Sequence, residues 1–270
     1  VRIGIIGCGF IGTTIGGALD QMDKVSAINL LDMDFERAVQ LSSRLSKGRV
    51  FRTEELDDFI HGSDMVIESA SQDAVKEFML KVMEAARDAM ILSIGALVDD
   101  ELWENMKVTA ERTGSRILIP SGAIAGIDGI YSGSMADIDC VTLTVRKPPG
   151  GLSLPPELHH RSDELRDLKE PAVLFEGKAR EAVKMFPRNV NVAATVALAG
   201  IGFDRTTVKI IADPKVQRNM QSIEVRGRFG EMKIQMMNQP STSNPRTSYM
   251  APLSAIAMIK KVLSGVYIGN

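Results

Sequence analysis

The chain opens on an apolar run, Val1, Ile3, Ile5 and Ile6, interrupted only by Arg2 and Gly4. Such a run predicts a buried strand. Helix-period and strand-like segments then alternate. Helix patterns fall at 13–21, 35–45, 54–60, 74–89 and 99–113, and strand patterns at 25–31, 50–51, 63–70, 90–95 and 116–120. Regular alternation predicts a parallel sheet covered by helices. From Pro120 the pattern changes. Residues 120–126 read as a crossover into a second domain, 127–136 as helix and 139–146 as a half-buried strand. In that strand Val141, Leu143 and Val145 share one face, and Thr142 and Thr144 the other. Residues 147–170 are rich in proline, glycine and charge, and predict a long solvent-exposed excursion. Beyond it come a short strand at 173–175, helices at 179–186 and 192–198, and a strand at 207–212. A hairpin of strands at 222–226 and 231–237 and a helix at 250–264 complete the chain. The fold class expected is α/β: a nucleotide-binding domain over 1–119, a mixed-sheet domain over 120–249, and a C-terminal segment, 250–270, that carries the last helix.

Between the first strand and the first helix lies Gly7-Cys8-Gly9-Phe10-Ile11-Gly12, a G-x-G-x-x-G pattern. Its context makes it specific, because a strand precedes it, a helix follows, and Asp32 stands twenty residues past its last glycine. Gly7 permits the tight turn, Gly9 lets a pyrophosphate approach the backbone, and Gly12 lets helix and strand pack closely. With Phe10 and Ile11 they form the phosphate cradle, on a helix N-terminus that favours anions. Asp32 can accept hydrogen bonds from the adenosine ribose hydroxyls. This is the signature of a Rossmann dinucleotide-binding domain. The carboxylate favours NAD, and Arg37 leaves NADP open. Gly7–Gly12, Asp32, Ala70–Gln72, Ser93–Gly95 and Ser121–Ala123 all fall at predicted strand ends, the edge where such sheets bind ligands.

Composition narrows the partners. The 270 residues suffice for two modest domains. A formal net charge of −2 gives no reason to expect nucleic acid or an anionic membrane surface. No stretch approaches the roughly eighteen apolar residues of a transmembrane helix. The N-terminus lacks the marks of a signal peptide, and a cytoplasmic protein is expected. The two cysteines, Cys8 and Cys140, read as reduced filler. His159 and His160 have no ligand partners at useful spacing, so no metal site is expected.

Several stretches resemble the L-aspartate dehydrogenase family, and the similarity runs from end to end. They are Ile119-Pro120-Ser121-Gly122-Ala123-Ile124-Ala125-Gly126, Phe186-Pro187-Arg188-Asn189-Val190-Asn191-Val192-Ala193-Ala194-Thr195 and Asn244-Pro245-Arg246-Thr247-Ser248, with Arg146-Lys147-Pro148-Pro149 and Phe175-Glu176-Gly177. The resemblance implies oxidation of L-aspartate by NAD(P) to iminoaspartate, which yields oxaloacetate and ammonia or feeds NAD synthesis. It also implies a homodimer, a last helix that returns to the first domain, and nicotinamide contacts at Ala123 and Asn191. After Asp213-Pro214 the family carries Asn-x-His, whose His is the proposed acid/base. Here the segment is Asn219-Met220-Gln221, so Gln221 fills the His slot. A neutral amide hydrogen-bonds but takes no proton near neutral pH.

The substrate's two carboxylates call for cations and N–H or hydroxyl donors. Candidates are Thr247, Ser248 and Asn189, then Arg188 and Lys178. Thr247 and Ser248 serve equally well as caps of the last helix, and Asn189 and Asn191 as turn and cap residues. Three functions follow: an aspartate dehydrogenase weakened at Gln221, a nucleotide-binding relative without turnover, or a related reductase of another small dicarboxylate.

Overall fold

A computed structural model describes residues 1–186, 191–241 and 247–269. The chain divides into two compact units. One comprises Val1–Pro120 with Pro252–Val266, the other Ser121–Ala251 with Tyr267–Asn270.

The first unit runs β1 (Arg2–Ile6), α1 (Phe10–Asp20), β2 (Ala27–Leu31), α2 (Phe35–Ser42), β3 (Gly48–Phe51), α3 (Leu56–His61), β4 (Met65–Glu68), α4 (Gln72–Ala74), α5 (Leu80–Glu84), β5 (Asp88–Ile91), α6 (Asp100–Thr113) and β6 (Ile117–Leu118). The sheet order is β3-β2-β1-β4-β5-β6, with every pairing parallel. Strands β2 and β4 are buried along their whole length, as strands covered on both faces must be, so they read as apolar runs rather than alternations. Asn29 is the polar exception in β2. Its Nδ2 donates to the Gly62 carbonyl at 2.9 Å and to Ser63 Oγ at 3.0 Å.

The helix expected over 74–89 is a composite. A π turn, Val75–Met79, joins α4 to α5, the helix stops at Glu84, and Ala86 turns with φ 56°. The following strand accordingly starts at Asp88, which pairs with Met65, and it ends at Ile91. Sheet pairing overrides helical periodicity there. Residues 94–95, expected to finish the strand, instead begin a 3₁₀ turn, Ile94–Val98.

The second unit holds α7 (Ile127–Gly133), β7 (Ile138–Lys147), α8 (Ser162–Arg166), β8 (Ala172–Lys178), α9 (Ala179–Met185), α10 (Asn191–Ala199), β9 (Thr207–Ala212), β10 (Asn219–Gly227) and β11 (Gly230–Asn238). The chain's last helix is α11 (Met250–Ser264), whose Ala255 and Ile259 lie in the core of the first unit. The sheet order is β11-β10-β7-β9-β8. Only β7–β9 is parallel, so the sheet is mixed. One face is apolar: Val141, Leu143 and Val145 of β7, Ile223 and Val225 of β10, and Val208 and Ile210 of β9 are all buried. Helix α7 runs along β11, with Gly126 against Ile234, Gly129 against Met232 and Gly133 against Phe229.

About half of residues 147–170 are exposed, as expected, but the excursion is anchored at several points. Two 3₁₀ turns, Pro149–Gly151 and Pro156–Arg161, precede α8, and Leu152 and Leu165 are buried. Anchors at Leu152, Pro155 and Leu165 make no period, which is why the pattern hid them. Both hairpin strands also exceed the expectation. β10 begins at Asn219, three residues early, which places Gln221 inside a strand.

Candidate active site

In the first unit the strand order reverses between β1 and β4, the point outside whose carboxyl strand ends such sheets bind ligands. Gly7 leaves β1 with φ +93°, and a Cβ there would meet Ala70, which follows β4. A Cβ on Gly12 would run into the Gly7 carbonyl. Ser69 Oγ donates to that same carbonyl at 2.8 Å and closes the turn. Helix α1 starts with no side-chain cap at Gly9 and no acid in its first turn, and space beside the Gly9 Cα is open. A pyrophosphate fits this cradle: the first N–H groups of α1 have no side-chain cap, and among the described residues nothing lies within 4 Å of a Cβ built at Gly9. Phe10 and Ile11 form the first turn of α1.

Asp32 follows β2. One carboxylate oxygen accepts from the Cys8 N–H at 2.7 Å and the other from the Asp34 N–H at 2.9 Å. It ties the glycine loop to its neighbouring strand and keeps lone pairs for ribose hydroxyls. Arg37, the cation that left NADP open, pairs with Asp34 at 3.1 Å. Cys8 is buried, and desolvation together with Asp32 pushes its thiol up to about 12, which makes it inert as a nucleophile.

Glu68, which the sequence reading passed over, ends β4 fully buried. It accepts from the Ala70 N–H at 2.8 Å, the Ser93 N–H at 2.9 Å and the Ser93 hydroxyl at 2.8 Å, and also from the Ser71 N–H. Burial pushes its carboxyl above the ordinary range, and the four donors oppose that shift. Glu68 therefore pins the loops after β4 and β5 together, and with them the backbone of Ala70 and Ser71. Ser71 itself caps α4, its Oγ accepting from the Ala74 N–H at 3.2 Å.

In the second unit the apolar sheet face turns polar at one end. Lys147 and Gln221 are each 4% exposed, Asn219 3% and Asn238 4%. All four continue the buried-face alternation of β7, β10 and β11 by steps of two. Asn238 Nδ2 donates to Gln221 Oε1 and to the Ala123 carbonyl, both at 2.7 Å. The structure thus brings Ala123 and Gln221 together through Asn238. The chain past β11 runs beside the segment that leads into α11. The Ser241 N–H donates to the Thr247 carbonyl at 2.8 Å, and Pro240 bridges Ser248. Ser248 is buried, and Asn191 opens α10. Asn189 and Arg188 lie outside the described residues. Lys178 is exposed at the end of β8. His61, His159 and His160 are all exposed; His61 Nδ1 contacts the Asp57 carbonyl at 2.7 Å, and His159 Nε2 the Leu154 carbonyl at 3.2 Å.

Lys147, Asn219 and Asn238 carry the polar end, and none was singled out as a site residue from sequence. A signal was present for Lys147. The alternation Val141, Leu143, Val145, extended one step, puts it on the buried face.

Comparison with known proteins gives the lineage of this architecture. Residues 7–120 match the family described as homoserine dehydrogenase, NAD binding domain, and residues 128–262 match aspartate dehydrogenase, C-terminal. The chain is 46% identical to the L-aspartate dehydrogenase of Methanosarcina barkeri, with 100% of both chains covered. It is 48% identical to that of Methanosarcina acetivorans, again over 100% of both. Among solved structures, aspartate dehydrogenase from Thermotoga maritima is similar with a TM-score of 0.77 at 28% identity, covering 99% of each chain. With a glycine loop at a strand reversal, a mixed second sheet with a buried polar end, and full-length relatives of one kind, the chain belongs to the L-aspartate dehydrogenase family.

Proposed function

We propose that the protein oxidises L-aspartate with NAD, forming iminoaspartate that water converts to oxaloacetate and ammonia. The observation that carries this reading is similarity over the entire length to relatives named L-aspartate dehydrogenase. It outweighs both a non-catalytic relative and a reductase of another dicarboxylate. When bound, the nicotinamide accepts the hydride that leaves the substrate Cα. The chain's own residues do the rest. The N–H groups of Gly9 through Gly12 take the pyrophosphate, Asp32 the ribose, and the loop at Ala70 and Ser71, held by Glu68, lines the same edge. Ala123 and Asn191 take the nicotinamide, as the resemblance implies. Thr247, Ser248 and Asn189 remain donors proposed for the substrate.

The amine must shed a proton before its lone pair can form the C=N bond. Gln221 offers an amide, so it orients the nitrogen but does not take that proton. Turnover should therefore climb as pH rises toward the ionisation of the amino acid itself.

NAD is preferred to NADP, because Asp32 would repel a 2′-phosphate and Arg37 is engaged by Asp34. Asp32→Ala tests this. It removes the acceptor of the Cys8 N–H and so weakens both cofactors. NAD should lose about tenfold more than NADP, the worth of a hydrogen bond to a charged group. An equal loss for both would withdraw the assignment. The protein acts as a homodimer in the cytoplasm on this reading, supported by the family resemblance and by two free cysteines.

A further inference from the structure

Two buried residues that carry donors face one another across β7 and β10 at the polar end of the five-stranded sheet. Lys147 is the last residue of β7, and among the described residues no group accepts from its ammonium. The neighbouring acid is spoken for. Asp213 follows Ala212, the partner of Lys147, and so lies on the opposite face. It accepts there from Arg146 Nη1 at 2.6 Å and from the Lys215 N–H at 2.8 Å. Asn219 opens β10 with its Nδ2 buried and unpartnered. The register pairs Met220 with Arg146 and Gln221 with Val145, so the next step sets Asn219 opposite Lys147 on the buried face. Side chains opposite one another in an antiparallel pair have Cβ atoms about 5 Å apart.

A buried ammonium beside a buried amide N–H calls for a ligand that only accepts and carries negative charge. A carboxylate meets both demands, whereas a water would leave the ammonium's charge uncompensated. Gln221 lies two residues along the same strand face, about 7 Å from Asn219. A four-carbon amino diacid bridges that separation, with its nitrogen at one end. We propose that Lys147 Nζ and Asn219 Nδ2 together hold one carboxylate of the substrate. The proposal rests on the aspartate-oxidation reading and deepens it, since it says what binds the diacid. Burial lowers the Lys147 ammonium to about 8, as an unpaired buried cation requires, and a bound carboxylate would raise it again.

The test uses the full chain with saturating NAD and the variants Lys147→Met and Asn219→Leu. Both should bind NAD as the parent does. KM for L-aspartate should rise on the order of 100-fold in Lys147→Met and about tenfold in Asn219→Leu, with kcat changed far less, as the loss of uniform binding requires. Succinate, a four-carbon diacid without an amine, should protect the parent against thermal unfolding and fail to protect Lys147→Met. Unchanged KM and intact succinate protection in both variants would overturn the proposal. So would a collapse of kcat at constant KM in Lys147→Met, which would make the lysine the proton acceptor. If Lys147→Met does not fold, Asn219→Leu decides by the same readouts. Should the parent bind succinate through Lys147 yet never oxidise L-aspartate, the oxidation reading fails and the carboxylate receptor stands.

Discussion

Lys147 destabilises the protein that contains it. In the unfolded chain its ammonium has an ordinary pKa of 10.5, while burial lowers it to about 8 in the fold, a difference of about 3 kcal/mol. Between these values the unfolded chain holds the proton that the folded chain has released, so stability rises with pH across that window. Below about 8 both states are protonated and the full cost is present. Lys147→Met should therefore stabilise the ligand-free protein at pH 7 by roughly 1–3 kcal/mol, and the advantage should vanish as pH approaches 10.5. Urea unfolding at both pH values checks this; a variant less stable than the parent at pH 7 would contradict it. Gln221 sets a second expectation. Gln221→His restores a group that titrates near 6.5, and general-base catalysis is typically worth about 10²–10⁴-fold. Asn238 Nδ2, which donates to Gln221, would donate to one ring nitrogen and hold the proton on the other. The gain in kcat should then lie near the lower bound, about 10²-fold, with a new ionisation in the pH–rate profile. An unaltered rate and profile in a folded, NAD-binding variant would remove Gln221 from the chemistry.

At the scale of elements, the Glu68 side chain joins the carboxyl ends of β4 and β5. Glu68→Gln keeps the shape of Glu68 but turns an amide NH₂ toward N–H donors. It should cost roughly 2–4 kcal/mol and weaken NAD binding as the loops after both strands loosen. Thermal melts and NAD titration check both parts; an unchanged NAD affinity would confine Glu68 to a structural role. These elements differ in how openly the sequence shows them. The turn at Gly7–Gly12 was legible because steric demand fixes residue type at fixed spacing. Parallel order was legible from the alternation of helix and strand periods. Glu68 was hidden, because a lone acid in an apolar strand resembles a solvated strand end until the donors from Ser93 and Ala70 are seen to converge on it. Lys147 was hidden by its neighbours: Pro148, Pro149, Gly150 and Gly151 give the stretch the composition of a loop. Gln221 fell just outside the strand expected at 222–226 because the polar residues Asn219 and Ser222 flank it, although all three belong to β10. Polar residues on a buried face break the very periodicity that would reveal the strand, so a site built on one is the hardest part to read from pattern alone.

For the whole molecule, two units of different sheet type divide the work: a parallel sheet whose reversal point cradles a dinucleotide, and a mixed sheet whose buried face ends in donors. The outer face of the mixed sheet carries Thr142, Thr144, Glu224 and an exposed Met237. A regular face of this kind, half-buried on β7 and exposed on β11, suits an isologous two-fold contact. Light scattering at micromolar concentration should give twice the 29.4 kDa chain mass, and a monomer would count against the homodimer. The most direct measurement is steady-state formation of reduced cofactor from NAD and L-aspartate, with L-malate and L-glutamate as controls. Turnover with L-aspartate well above both controls, increasing toward alkaline pH in the absence of a histidine base, is the expected result. No reduced cofactor from L-aspartate at any pH, in a protein that binds NAD, would contradict aspartate oxidation as the function of this chain.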